Sequence, residues 1–211
     1  MRISLNQVIP IPLPDSCVQS SKVWGKSLTL DNNQFIQIEA QSGKGKSTLL
    51  HILYGLRLDY KGGCKIDGLE VSDFSTAQWR ELWTNQFSLL FQDLRLFLDL
   101  TARQNLELLP KVYSAGPNLE EMCKELEIDH LLDRQVNTLS LGQRQRFALV
   151  RCLLKPFNWL LLDEPFSHLD ECNAKRAAQL IEKSTKLRRA GILHTSLSSS
   201  SPLTSDLRIT L

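Results

Sequence analysis

The sequence predicts an α/β protein built on a parallel sheet, on three observations. Apolar runs of strand length, at 35–40, 87–92, 158–164, 190–196 and 206–211, alternate with segments of helical period. The run at 158–164, Asn-Trp-Leu-Leu-Leu-Asp-Glu, is almost continuously apolar, as a strand covered on both faces requires. A loop carrying Gly43, Lys44, Gly45 and Lys46 stands between the first of these strands and the helix-forming run at 47–56. Such a sheet offers bare amides and a helix N-terminus to an anion at that place.

The remaining elements follow in order. Residues 60–71 hold Gly62-Gly63 and Asp67-Gly68, which are turn and hairpin signals and predict a small antiparallel piece. From about 93 to 138 the strand–helix alternation breaks, and an inserted helical lobe is expected there, with 118–134 read as helical from its apolar spacing at 119, 122, 126, 128, 131 and 132. The helix after Ser140 is expected to end near Lys155-Pro156. The serine-rich stretch 196–205 reads as a solvated loop, and the cluster Lys183, Lys186, Arg188 and Arg189 as a solvated helix end.

With 211 residues the expectation is one domain, its core formed by about 1–92 and 139–211 and its lobe by about 93–138. A 42% hydrophobic content supports an ordinary core. A net charge of +2 argues against a nucleic-acid partner and against an electrostatic membrane anchor. The five cysteines are scattered and form no C-x-x-C pair, so free thiols are expected rather than a zinc site. The N-terminus lacks an apolar run of signal-sequence length, and no stretch approaches the ~20 apolar residues of a membrane helix. The sequence stops at Leu211 just after a strand pattern, and no C-terminal regulatory domain is expected.

The phosphate-loop pattern G-x-x-x-x-G-K-[ST] falls on 40–47, with Ala40 in place of the first glycine. Ser42, Gly43, Lys44, Gly45, Lys46, Ser47 and Thr48 are the candidate nucleotide contacts. Backbone amides of 43–48 would cradle the phosphates, Lys46 would reach the β- and γ-phosphates, and the Ser47 hydroxyl would ligate Mg2+. If position 40 needed a positive φ, alanine there would cost about 1 kcal/mol. Downstream, Asp163 ends the buried strand and is placed to hold Mg2+. Glu164, next in line, points elsewhere because side chains alternate, and can orient or deprotonate a water for in-line attack. Ser140 reads as an N-cap, and with the Gly142 amide it makes a second anion site at a helix N-terminus. One phosphate loop with a second anion site implies a second copy of the chain.

The motifs, in order, are the loop ending at Ser47, Phe91-Gln92-Asp93, Leu139-Ser140-Leu141-Gly142-Gln143, Leu160-Leu161-Leu162-Asp163-Glu164-Pro165, Ser167-His168-Leu169-Asp170 and Leu193-His194-Thr195-Ser196. Their spacings run 46 residues from Lys46 to Gln92, 48 to Ser140, 23 to Asp163 and 31 to His194. In this the chain resembles the ATP-binding cassette ATPases over essentially its whole length. The stretch 91–108 looks like the branch of small cassettes that drive lipoprotein release, macrolide export and cell-division complexes.

The resemblance implies a RecA-like P-loop NTPase core with a small antiparallel β subdomain and a helical lobe. It also implies ATP and Mg2+ as cofactors and ATP hydrolysis as the activity. Gln92 would be an Mg2+ contact at the hinge to the lobe. Ser140, Gly142 and Gln143 would meet the partner's γ-phosphate. Asp170 would lie at the dimer interface, and His194 would contact the γ-phosphate and hold the attacking water. The implied partners are a second copy, as a homodimer, and a transmembrane permease. The implied location is cytoplasmic, peripheral on the cytoplasmic face of the inner membrane, with membrane contact only through the permease. Leu141 replaces a signature glycine, and Trp24, the only aromatic before the loop's strand, is read as a packing residue rather than an adenine platform. These departures motivate an alternative, a nucleotide-gated scaffold with weak turnover. His51, His130 and His168 are read as ordinary structural residues.

Overall fold

The computed structural model describes residues 1–109, 118–198 and 200–211. Strands β1 (Arg2–Pro10), β2 (Ser27–Asp31), β4 (Tyr60–Ile66) and β5 (Leu69–Glu70) form an antiparallel sheet in the order β2-β1-β4-β5. Strands β3 (Phe35–Glu39), β6 (Phe87–Leu90), β7 (Trp159–Leu162), β8 (Gly191–Ser196) and β9 (Leu207–Thr210) form a parallel sheet in the order β6-β7-β8-β3-β9. The helices are α1 (Asp15–Ser20), α2 (Lys46–Leu53), α3 (Thr76–Asn85), α4 (Ala102–Glu107), α5 (Leu119–Glu125), α6 (Leu141–Leu154) and α7 (Glu171–Arg188).

The unbroken apolar run of β7 has its reason in two cores. Leu160 and Leu162 of β7 with Ile192 of β8 join a cluster under α6 and α7. Trp159, Leu161 and Leu193, on the opposite face, join a cluster with Leu49, Leu50 and Leu53 of α2 and with Ile3 and Leu5 of the antiparallel sheet. Alternate residues thus enter different cores, and neither face reaches water. The hairpin between β4 and β5 turns on Asp67 and Gly68, at φ 48° and 86°, the primed-turn geometry that Asp-Gly favours.

One local reading needs correction. The helix expected through 118–134 stops at Leu126, where Glu127 takes φ 53° and a 3₁₀ turn at Asp129–Leu131 follows. The apolar spacing continues because Leu126, Ile128, Leu131 and Leu132 all enter the same core from both sides of the break. The cations at the end of α7 are solvated as expected, with Lys183 and Lys186 exposed in surface pairs with Glu125 and Glu182, while the Arg188 guanidinium lies 4.8 Å over the Phe157 ring. Residues 110–117 of the stretch read as a helical lobe, and 199 of the serine-rich loop, lie outside the described residues.

Candidate nucleotide site

Parallel strands deliver their carboxyl ends to one edge of the sheet. The register pairs Leu162 with His194, and Glu39 with Ser196. Asp163 and Glu164, Ser196, and the loop after Glu39 therefore share that edge.

Helix α2 begins at Lys46 behind Gly45, whose φ of 96° is open to glycine and strained for any other residue. The first-turn amides of a helix have no partner within it and face whatever sits before the turn. Ala40 is not strained: it lies outside the positive-φ set, and the left-handed positions of the loop fall on Gly43 and Gly45. Ala40 is 5% exposed and packs in the second core. Trp24 is fully buried beneath the loop, and its Nε1 donates to the Lys44 carbonyl at 3.2 Å. Its ring lies 3.2 Å from where a Cβ on residue 45 would stand. The indole supports the loop from below, as a packing residue.

The Lys46 ammonium spends its three donors inside the chain. It lies 3.1 Å from Glu164 Oε1, with side-chain exposures of 5% and 12%, and it donates to the carbonyls of Ala40 at 2.8 Å and Gln41 at 3.2 Å. Glu164 reaches it because the chain turns left-handed at φ 47° just past β7. The Glu164 amide donates to Thr195 Oγ1 at 2.9 Å, and that hydroxyl donates to Asp163 Oδ1 at 2.8 Å. Thr195 thus fixes both carboxylate-bearing residues. Asp163 is 3% exposed. Together with Ser47 and Gln92 it borders a cavity of about 400 Å³, and Ser47 Oγ lies 3.5 Å from Gln92 Oε1. A hydroxyl, an amide oxygen and a carboxylate converging there are the hard oxygen donors that suit Mg2+.

Several residues around this cavity were not read as functional from the sequence, His51 and His168 among them as ordinary structural residues. His51, His168 and Arg95 line it. His51 follows Ser47 by one helical turn, and burial holds its pKa below the usual value. Arg95 lies 3.6 Å over the Phe91 ring. Leu94 and Arg95 are both left-handed, at φ 61° and 47°, and Arg151 of α6 holds this turn by donating to their carbonyls at 2.7 and 2.8 Å. Gln145 of α6, 2% exposed, donates to the carbonyls of Glu164 at 3.2 Å and Pro165 at 2.6 Å and accepts from the His168 amide at 3.1 Å. The one available signal for Gln145 was a polar residue on the apolar face of a helix.

The signature residues form their own turn at the start of α6. Ser140 caps α6: its hydroxyl accepts from the Gln143 amide at 3.3 Å, and its own amide donates to Gln143 Oε1 at 2.9 Å. Gly142 packs so closely that a Cβ there would stand 2.7 Å from the His168 carbonyl oxygen. Asp170 caps α7 and accepts from the Asn173 amide at 2.8 Å, which with the Asn173 side chain lowers its pKa. Among the described residues, Ser140, Gly142, Gln143 and Asp170 border neither the cavity of Asp163 nor the one beside Glu164.

The structure sets His194 deeper than the edge expected for it. It is 1% exposed, both ring nitrogens lack a hydrogen-bond partner among the described residues, and burial pushes its pKa down to about 4. It lies within the sheet, paired in register with Gln37 and Leu162, rather than at the edge. The spacing from Asp163 counted residues correctly but placed the imidazole two positions too deep.

Comparison with known proteins agrees with this geometry. The family model described as ABC transporter matches residues 24–167. The thiamine import ATP-binding protein ThiQ of Vibrio vulnificus (strain YJ016) is 35% identical over 171 residues, covering 79% of this chain and 70% of that protein. ThiQ of Escherichia coli (strain K12) is 34% identical over 180 residues, covering 81% and 73%. Among solved structures, the dimeric post-hydrolysis state of the ATP-binding cassette MJ0796 bound to ADP and Pi superposes with a TM-score of 0.76 at 23% identity, covering 93% of this chain and 88% of that one; at that identity the likeness speaks for the fold. Since the family match spans the loop, the carboxylate pair and the signature, and the relatives exceed 30% identity over most of both chains, the chain belongs to the ABC transporter family as one of its ATP-binding subunits.

Proposed function

We propose that two copies of this chain close head to tail around two ATP molecules, each held by the phosphate loop of one copy and the Ser140–Gln143 segment of the other, and that closure drives a membrane permease. As an ATP-binding subunit of its family, the chain binds ATP with Mg2+, hydrolyses it and works with a permease. Two observations support the sharing of one site between copies. Ser140 and Leu141 are exposed, the signature residues border neither cavity of their own chain's site, and Gly142 is kept free of a side chain where α6 meets the turn before Asp170.

Gly43, Gly45 and the first turn of α2 supply amides to the phosphates, flanked by Ser42, Lys44 and Thr48. Ser47, Gln92 and Asp163 would hold Mg2+, which on binding neutralises phosphate charge. Phosphoryl transfer needs mainly positioning and charge neutralisation from the protein. Arrival of the terminal phosphate competes with Glu164 for Lys46. Once displaced, the Glu164 carboxylate is free to accept a proton from the attacking water, and Lys46 turns its charge to the phosphate. Gln92, on the turn that Arg151 pins to α6, couples the state of the site to the residues beyond β6. Among the described residues no helix is long and apolar enough to cross a membrane; in this reading membrane contact comes only through the permease, at the cytoplasmic face of the inner membrane.

The single observation behind this reading is the Lys46–Glu164 pair beside the Ser47, Gln92 and Asp163 oxygens. The test compares ATP turnover of the full chain with that of Glu164→Gln. Turnover is expected to fall at least about a hundredfold, the scale of a lost general base. Equal rates remove Glu164 from the mechanism.

A further inference from the structure

We propose that Ser196, not an imidazole, is the group at the end of β8 that hydrogen-bonds the terminal phosphate or the attacking water opposite Glu164, and that buried Gln37 holds it in position. This rests on the reading that Glu164 faces the terminal phosphate.

Ser196 is the last residue of β8, two positions beyond the His194–Leu162 pairing. At about 3.3 Å per residue it stands roughly 6 to 7 Å nearer the active edge than His194. Its carbonyl accepts from the Ala40 amide at 3.2 Å, which ties it to the start of the phosphate loop. With Glu164 it lines a cavity of about 160 Å³, which Thr195, Ser198 and Ser200 also border. His194 lines neither this cavity nor the one at Asp163.

The hydrogen bonds around Ser196 can be exchanged without orphaning a buried group. Gln37, fully buried in the middle of β3, donates from Nε2 both to Ser196 Oγ at 2.9 Å and to the Ser198 carbonyl at 3.0 Å. Its Oε1 accepts from Ser205 Oγ at 3.1 Å. Ser196 Oγ in turn donates to the same Ser198 carbonyl. When the Ser196 hydroxyl rotates its proton toward an anion in the cavity, the Ser198 carbonyl keeps its bond from Gln37. The Ser196 oxygen also keeps the donor that polarises it. A buried polar group without a partner costs about 1–3 kcal/mol, and this arrangement avoids that cost in both states. A buried glutamine among Ile36 and Ile38 has a reason under this assignment: it sets the rotamer of Ser196 and fixes the loop after β8.

The test uses the full chain with Ser196→Ala, Ser196→Thr, His194→Gln, Gln37→Leu and Glu164→Gln, measuring kcat and KM for MgATP. Ser196→Ala is expected to lower kcat by about tenfold to a hundredfold with KM within about threefold, the signature of a donor used mainly in the transition state. Ser196→Thr restores at least half of the turnover, His194→Gln keeps kcat within twofold, and Gln37→Leu repeats part of the Ser196→Ala loss. Should Ser196→Ala not accumulate as folded protein, Ser196→Cys carries the same comparison.

A second readout does not depend on turnover. In a Cys172→Ser background, which removes the one exposed native thiol among five, the Ser196→Cys thiol is labelled with a maleimide. MgATP is expected to slow labelling at least tenfold. Three results would each overturn the assignment: wild-type kcat in Ser196→Ala, loss of turnover in folded His194→Gln, or labelling indifferent to MgATP. A kcat loss shared equally by Ser196→Thr would show packing alone and would overturn it too. If these occur while Glu164→Gln still abolishes turnover, the ATPase reading stands; unchanged turnover in Glu164→Gln sinks that reading instead.

Discussion

The buried ion pair between Lys46 and Glu164 makes a quantitative prediction for a double-mutant cycle. At 3.1 Å and an effective dielectric near 20, the gross attraction is about 5 kcal/mol. Removing two ions from water costs several kcal/mol each, so the net worth of the pair is far smaller than its attraction. The singles should differ. Lys46→Met leaves the Glu164 carboxylate, 12% exposed, without its cation, and is expected to destabilise the fold by about 3–5 kcal/mol. Glu164→Gln leaves Lys46 with a neutral acceptor and its two carbonyl partners, and should cost only about 1 kcal/mol.

The double variant Lys46→Met, Glu164→Gln removes both charges. It should be more stable than Lys46→Met alone, with a coupling of about 2 kcal/mol or more. Urea unfolding of nucleotide-free protein measures this, and the corresponding melting shifts are about 2–4 °C per kcal/mol for a chain of this size. The coupling should survive molar salt, because neither charge is solvent-screened. Additivity within about 0.5 kcal/mol would refute the reasoning, since it would mean the two side chains do not sense each other in the folded state.

Two further predictions concern neighbouring features. Gly142→Ala sets a methyl group 2.7 Å from the His168 carbonyl oxygen, and backbone must move; a loss of about 1–3 kcal/mol is expected by urea unfolding, with weaker ATP-dependent pairing by sedimentation. His194, neutral in the fold with its pKa pushed down to about 4 by burial and by Arg208, gains a proton on unfolding between about pH 4 and pH 6.5. Its contribution to stability is therefore level above about pH 6.5 and falls as pH drops from there toward 4, by about 2 kcal/mol at pH 5. Unfolding free energies of the wild type and His194→Gln at pH 7 and pH 5 should show a loss steeper in the wild type by about that amount, His51 contributing in both.

Much of this molecule was legible in one dimension because its signals are local. A strand that enters two cores must be apolar throughout, so Trp159–Leu162 announces itself. A loop that turns left-handed ahead of a helix wants glycines at 43 and 45, and a helix wants Ser140 and Gln143 as a reciprocal cap. The Asp-Gly turn at 67–68 is equally local. By themselves these residues determined the parallel sheet, the anion loop, the carboxylate pair and the family. Strands β1 and β2 and helix α3 carry weaker periodicity, and their positions come from partners far along the chain, as in the pairing of Ile3 with Ile66.

What only the tertiary structure decided is which polar atoms meet. The Lys46–Glu164 contact depends on a left-handed turn at Glu164 that no pattern predicts. Thr195 and Gln145 act through hydrogen bonds to backbone groups 31 and 20 residues away. Register displaced His194 from the edge and set Ser196 there, because a shift of two residues in a strand preserves the face but changes the depth by a full pleat repeat. Composition and spacing record which groups are available; distance between groups remote in sequence is set by how sheets and helices pack.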